Sequence, residues 1–422
     1  MYGYHRLISE VERVLIVRRL ALVLALLSSG CGLVPTGSSL DSGKVQGLAS
    51  GEWWVKQTTV RGISLRQAGF TVLSAPDEPI AALGWSRIRA SEGDMVRLRA
   101  LPGVLVVERA RTLRVEPRVT APVPDLAGAL GVTYNDPESR WQYAIAKLQL
   151  DEAHALTMGS SRTIVAVVDT GIDRTHPDLV ARDGAARVLA GRDWMANSDD
   201  VTDRGGHGTH CAGIVGATAQ NGAGVVGMAP MTTLLAEKVF DDKGNATWAS
   251  VSSGIVHAVN AGAKVINLSL GDKNSAKVLE DAIKYAIAKD VLVVAASGND
   301  GQNDLAIYPA MLPGVLAVGA TDKKDARSTF SNAAKWVSLS APGTGIYSTF
   351  PVALRFTYGY ASGTSMAAPH VAGVAALVRD RFPSMKAAEV KARLEQAADD
   401  LGASGFDPVF GHGRLNALRA VR

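Results

Sequence analysis

Five short, predominantly apolar runs most constrain what this chain can fold into: Thr163 to Val168, Leu234 to Val239, Lys264 to Leu268, Val291 to Ala295 and Val315 to Val318. A strand with one face in water alternates apolar and polar residues. Continuous apolar runs of this length suit strands buried on both faces, and the Ala-rich segments between them suit covering helices. The expected fold class is therefore α/β, with three layers around a central, mostly parallel sheet. Residues from about 52 to 118 read differently, because short apolar pieces such as Val104-Leu105-Val106-Val107 and Leu113-Arg114-Val115 are interleaved with basic residues. They predict a small α+β unit. A Gly/Ser-rich stretch from Gly37 to Gly51 precedes it, and Ala121-Pro122-Val123-Pro124-Asp125 follows as a linker, since proline resists helix and favours extended backbone.

Arg18-Arg19 precede an apolar run from Leu20 to Leu27 that ends in Ser28-Ser29-Gly30. This is a signal-peptide layout, too short to span a bilayer. Cys31 follows directly, as the acylated cysteine of bacterial lipoproteins does, although Ser28 stands where that pattern has an aliphatic residue. An ordinary secretory leader with an incidental cysteine reads equally well. Glu10 and Glu12 are out of place in a positive leader, which points to a translation start downstream of Met1. The expected division is a leader over 1–31, a linker and propeptide-like unit over 32–120, and a catalytic domain over 121–422. Cys31 and Cys211 fall in segments separated by such processing, so a disulfide framework is not expected. The 44 Lys+Arg against 40 Asp+Glu leave a net charge of +4 over 422 residues, with no basic block carrying interleaved aromatics. Nucleic acid is not an expected partner.

Chemistry in an open parallel sheet gathers where strands end. Asp169 closes the run Ile164-Val165-Ala166-Val167-Val168, where a rigidly held carboxylate suits the fixing of an imidazole and equally suits a turn cap. His207 stands among glycines in Gly205-Gly206-His207-Gly208-Thr209-His210-Cys211, at the start of an Ala-rich helical segment. Small neighbours leave its ring accessible, and neutral histidine is the usual base near neutral pH. His210 lies three residues on, but no adjacent glutamate or third ligand supports a zinc site, so it reads as structural. Cys211 reads as a small buried hydrophobe. Ser365, in Gly363-Thr364-Ser365-Met366-Ala367-Ala368-Pro369-His370, opens a helical run and by itself is read better as a helix cap than as a nucleophile. Asn299 ends Ala295-Ala296-Ser297-Gly298-Asn299, as a turn residue or as a donor to an oxyanion.

Taken together, these four segments resemble the subtilisin-like serine peptidases, in motif order and in spacing, over most of residues 134 to 422. The cysteine in His-Gly-Thr-His-Cys resembles the thermitase and proteinase K branches. The resemblance implies a subtilisin-like fold and an exported serine endopeptidase. In it Ser365 attacks the peptide carbonyl, His207 is the general base, Asp169 orients His207, and Asn299 with the Ser365 N–H forms the oxyanion hole. It implies that substrate lies extended between Gly244-Asn245-Ala246 and Ser269-Leu270-Gly271. The pocket for the residue before the scissile bond would be lined by Leu270, Ala296, Ser297 and Gly298, with Ile307 as a floor that makes it shallow and apolar.

The same resemblance implies structural calcium, held by Asp136, Asp178 and Asn221 with the carbonyl oxygens of Thr218, Ala223 and Val225. A looser match offers Asp193, Asn197, Asp199, Asp200 and Asp203 as a second site, with a solvated acidic turn as the alternative. In position and size, residues 52–118 look like a propeptide that assists folding, blocks the active site and is cut between about Arg118 and Tyr134. An accessory domain is the competing reading. The expected partners are peptide or protein substrates and the chain's own propeptide, for a monomer that touches membrane only if Cys31 is lipidated. Two rivals fail on context. Gly222-Ala223-Gly224-Val225-Val226-Gly227 fits a dinucleotide fingerprint, but a helix-like segment precedes it and a strand follows. An inactive binding module does not account for retention of all four catalytic positions.

Overall fold

The computed structural model describes residues 51–58, 64–74, 78–114, 134–354 and 356–422. The leader with Cys31, the proline-rich linker and the expected cleavage segment lie outside the described residues. Near the N-terminal end of the described residues, β1 (Gly51–Gln57), β2 (Thr71–Val72), β3 (Trp85–Ala90) and β4 (Val104–Arg109) form an antiparallel sheet in the order β2-β3-β1-β4. Alternate residues of β1 serve two cores. Trp53 and Val55 pack with Phe70, Ile88 and Leu98 in the small unit's own interior, where α1 (Met95–Arg99) contributes. Trp54 points the other way, into the larger core that follows. After β4 the chain extends as β5 (Thr112–Arg114).

The larger body is built on seven parallel strands: β6 (Ile164–Asp169), β7 (Val188–Asp193), β8 (Thr233–Lys238), β10 (Val265–Leu268), β11 (Leu292–Ala296), β12 (Leu316–Thr321) and β13 (Leu339–Pro342). Their order is β13-β12-β11-β10-β6-β8-β7. Between β8 and β10 lies the short β9 (Asn245–Thr247), which is outside this sheet. The five apolar runs are its five inner strands. Along each, successive side chains go to opposite faces, so Val165 and Val167 enter one core and Ala166 and Val168 the other. Two buried faces demand a predominantly apolar run, and such polar residues as Glu237, Lys238 and Asn267 are buried there with hydrogen-bond partners. The two strands that the apolar pattern missed, β7 and β13, are the edges. There β7 carries the partly exposed Ala-Gly-Arg stretch, and β13 is short and ends in Pro342.

Helices α2 (His207–Gly216), α5 (Thr364–Arg381) and α6 (Ala387–Ala397) cover the first face. The second is covered by α3 (Trp248–Asn260) and α4 (Lys277–Ala288). The hairpin β14 (Ile346–Thr349) and β15 (Tyr358–Ala361) leads into α5.

The small sheet sits on α3 and α4. Asp281 of α4 accepts hydrogen bonds from Lys56 Nζ at 2.5 Å and Trp85 Nε1 at 3.1 Å, so one carboxylate ties down two strands. Glu108 of β4 accepts from the backbone N–H groups of Lys277 and Val278 at 3.0 and 3.1 Å. That carboxylate satisfies donors that a helix leaves free at its N-terminus, and the helix dipole favours its charge. Thus placed, the small sheet delivers β5 to β9, where it pairs antiparallel with Leu113 opposite Ala246.

Candidate active site

Asp169 is the last residue of β6 and is fully buried. Its Oδ1 lies 2.7 Å from His207 Nδ1 and accepts the Thr170 N–H at 2.7 Å. His207 is the first residue of α2, after Gly206 at φ 90°. The glycines around it are there for close approach. A Cβ on Gly208 would lie 2.1 Å from the Gly171 carbonyl oxygen, so only glycine lets the helix start abut the turn that follows Asp169. Burial works against protonating His207, but the neighbouring Asp169 carboxylate outweighs it and holds the imidazole above its usual value.

Ser365 is the second residue of α5. Its Oγ donates to the Ser269 carbonyl at 3.0 Å, and Ser269 Oγ donates to the Ser365 carbonyl at 2.7 Å. Asn299 Oδ1 accepts from Thr364 N and Oγ1 at 2.8 and 2.9 Å, which turns its Nδ2 away from Thr364. His207, Ser365 and Asn299 line one cleft of about 300 Å³. The four residues picked from separate motifs therefore come together where strands end and helices begin.

Leu270, Gly271, Ala296, Gly298 and Ile307 line the same cleft, and Ile307 is buried. Its side chain stands between two glycines: Cβ atoms on Gly271 and Gly298 would lie 2.8 and 3.1 Å from it. Asn245 and Ala246 lie in β9 opposite Arg114 and Leu113, and Arg114 also lines the cleft. One expectation needs correcting here. Ser297 is buried with its Oγ directed to the Asn332 carbonyl, so it supports the pocket from behind, because successive residues along an extended segment face opposite ways. Gly244 lies in the turn just before β9, its N–H donating to the Asp241 carbonyl, next to the residues that pair with β5. His210 is structural: buried, its Nε2 faces the carbonyls of Ile346 and Gly359, and burial lowers its pKa to about 3. Cys211 is buried beside the Ser365 carbonyl.

Of the first set of calcium candidates, Asp136, Asp178, Asn221 and Val225 meet. Asp136 accepts the Gln220 and Asn221 N–H groups at 2.8 and 3.1 Å, and Asp178 accepts Asn221 Nδ2 and the Val225 N–H at 2.8 and 2.7 Å. Thr218 is tied to the same loop through its N–H to the Asp178 carbonyl, and Ala223 through its N–H to Asn221 Oδ1. Both carboxylates are buried, and burial raises both, Asp178 to about 7.

The second set does not converge. Asp193 caps its own turn, Asn197 and Asp199 face Arg192, and Asp200 pairs with Arg204. Asp203 has another role that the sequence reading missed. Its Oδ1 accepts from Thr170 Oγ1, Gly205 N and Gly206 N at 2.9, 2.9 and 2.8 Å, and its Oδ2 from Thr209 N and Oγ1 at 2.8 and 2.7 Å. One buried carboxylate thus locks the turn after Asp169 to the loop carrying His207. Its place four residues before a glycine-flanked histidine was the available signal.

Residues 160–413 match the model of the subtilase family. Thermitase from Thermoactinomyces vulgaris is 43% identical over 291 residues, 69% of this chain and 99% of that protein. Subtilisin DY from Bacillus licheniformis is 38% identical over 284 residues, covering 66% of this chain and 98% of the relative. Among solved structures, fervidolysin from Fervidobacterium pennivorans, a keratinolytic enzyme related to subtilisin, superposes with a TM-score of 0.72 at 28% identity. That match takes in 90% of this chain and 62% of fervidolysin.

Proposed function

Because the chain belongs to the subtilase family and is a serine endopeptidase, we propose that it cleaves peptide bonds through an acyl-enzyme on Ser365. The observation that carries this is the 2.7 Å contact between buried Asp169 and His207 at the cleft that also holds Ser365 and Asn299. Ser365 Oγ attacks the carbonyl carbon as His207 Nε2 takes its proton. Asp169 holds Nδ1 protonated, so that Nε2 is the free base, and stabilises the imidazolium. Negative charge on the carbonyl oxygen is met by Asn299 Nδ2 and the Ser365 N–H. His207 then protonates the leaving amine, and water hydrolyses the ester by the reverse sequence. A labelled fluorophosphonate is expected to attach to Ser365 in the processed protein; a fully processed chain that stays unlabelled would instead be a binding module.

Substrate adds as a strand along β9, and the pocket at Leu270, Ala296 and Ile307 takes a modest apolar side chain. Ile307 fills depth that a large ring needs. Peptides with Leu or Ala before the scissile bond are expected to be cleaved about tenfold faster than those with Phe or Tyr. The reverse order in a peptide library would refute the shallow pocket.

Residues 51–114 act as a propeptide. The support is positional, since β5 takes the very edge of β9 that a substrate strand would use. Cleavage between about Arg118 and Tyr134 releases it. The Arg18 to Gly30 leader exports the chain, and among the described residues no helix is long and apolar enough to cross a membrane. The mass of the processed N-terminus distinguishes a lipid on Cys31 from simple cleavage.

Calcium is the proposed structural cofactor at Asp136, Asp178 and Asn221. These residues fit the ion, because hydrogen bonds to Gln220, Asn221 and Val225 bring the two buried carboxylates to one loop and an all-oxygen donor set is what calcium selects. When bound, calcium would add positive charge between the two carboxylates, beyond what Arg182 and Arg187 supply, and fasten residues 134–136 to the loop after α2. Chelation with EDTA is expected to lower the melting temperature of the Ser365→Ala protein by about 5–10 °C. Asp178→Asn should remove that response. An unchanged melting temperature in EDTA would dismiss the calcium.

A further inference from the structure

Beyond the pocket at Leu270 and Ile307, apolar side chains stand in water next to the catalytic histidine. Phe350, at the end of β14, is buried and lines the cleft. The loop that follows it carries three large apolar residues, Val352, Leu354 and Phe356, with Arg355 between the last two, and Val352 and Phe356 are 50% and 43% exposed. Phe356 meets Phe350 edge-on with ring centroids 5.0 Å apart. Leu354 closes up to the residue just before His207: a Cβ on Gly206 would lie 3.3 Å from Leu354 Cδ1 and 2.8 Å from Phe350 Cδ1. The loop is also held in place, since the Val352 N–H donates to Asp173 Oδ2 at 2.8 Å. Apolar groups kept in water at a fixed place beside reacting atoms are a surface for something to cover.

The chemistry says what covers it. Strand β5 pairs with β9 and its Arg114 lines the cleft, while the end of β11 and the segment that follows β10 supply the pocket for the acyl half of a substrate. His207 must protonate the leaving amine, so the residues attached to that amine depart on the His207 side. There the cleft is lined by Phe350, Ala361 and Ser362 of the β14–β15 hairpin and its sequel. We infer that Val352, Leu354 and Phe356 form a second specificity surface, which selects apolar side chains at the first two positions after the scissile bond. This rests on the peptidase reading above and adds a preference on the leaving side.

The test uses the processed enzyme and internally quenched peptides that share one acyl half and carry either Leu-Phe or Ser-Asp directly after the scissile bond. The ratio of kcat/KM for the two is expected to be about tenfold in favour of Leu-Phe. It should fall to about twofold in Leu354→Ser and in Phe356→Ser. Because the ratio is taken within each enzyme preparation, an inactive fraction cancels. A p-nitroanilide with the same acyl half, and no residue beyond it, reports on the peptidase reading alone. Hydrolysis of the anilide with a peptide ratio near one, or with the wild-type ratio retained in both variants, overturns the leaving-side surface and leaves the peptidase standing. No hydrolysis of the anilide by the processed wild type overturns both.

Discussion

Replacing Ser365 by alanine is expected to lower kcat on a peptide substrate by about a millionfold, the scale of single triad knockouts in subtilisin itself. The reason is geometric. Ser365 stands at the start of α5 with its hydroxyl donating to the Ser269 carbonyl, and alanine fits the same place without disturbing the helix. What disappears is the one oxygen that can form the ester. The same substitution should leave residues 51–114 joined to the rest of the chain, seen by mass spectrometry as an uncut protein beside a processed wild type. A variant that still cleaved itself between Arg118 and Tyr134 would mean that another peptidase matures this one.

Asp169→Asn should cost about ten-thousandfold in kcat with little change in KM. The Asp169 Oδ1 atom is shared between His207 Nδ1 and the Thr170 N–H, and the residue is fully buried. An amide in that place presents an N–H to the imidazole and favours the tautomer whose proton sits on Nε2, where the base must be free. The carboxylate that raises the His207 pKa is lost as well. A parallel loss in melting temperature would indicate damage to packing, whereas an unchanged melting temperature with collapsed kcat isolates the orienting role. Asp203 is the natural comparison. Among the described residues it bonds to neither Ser365 nor the imidazole: it holds the loops that carry Thr170, Gly206 and Thr209, and its charge adds to that of Asp169 in raising His207.

The sequence patterns were strongest where one physical demand governs each position of a short segment. The inner strands could be read within a few residues because burial on both faces removes most polar residues from the run, and those that stay, such as Glu237, Lys238 and Asn267, have internal partners. The edge strands β7 and β13 escaped because a strand with one neighbour answers to weaker demands. Asp169, His207, Asn299 and Ser365 could be read because each lies at the junction of such a strand or of a helix with a glycine-bearing turn. Asp203 was grouped with its acidic neighbours because charge alone does not say which carboxylate is turned inward. Ser297 was assigned to the pocket because adjacency in sequence is not adjacency in space.

By itself, the sequence determined the parallel sheet and the four candidate residues at strand ends and helix starts, since periodicity and motif spacing are properties of the chain, and their resemblance to the subtilisin-like peptidases grouped the four into one chemistry. Tertiary structure alone decided that Asp203 braces the histidine loop, that Ser297 faces away from the cleft, that Asp136 and Asp178 share one loop, and that β5 lies on β9. Each of these depends on which side chain or backbone edge meets another across long stretches of chain, and such meetings are set by packing the two faces of the sheet at once.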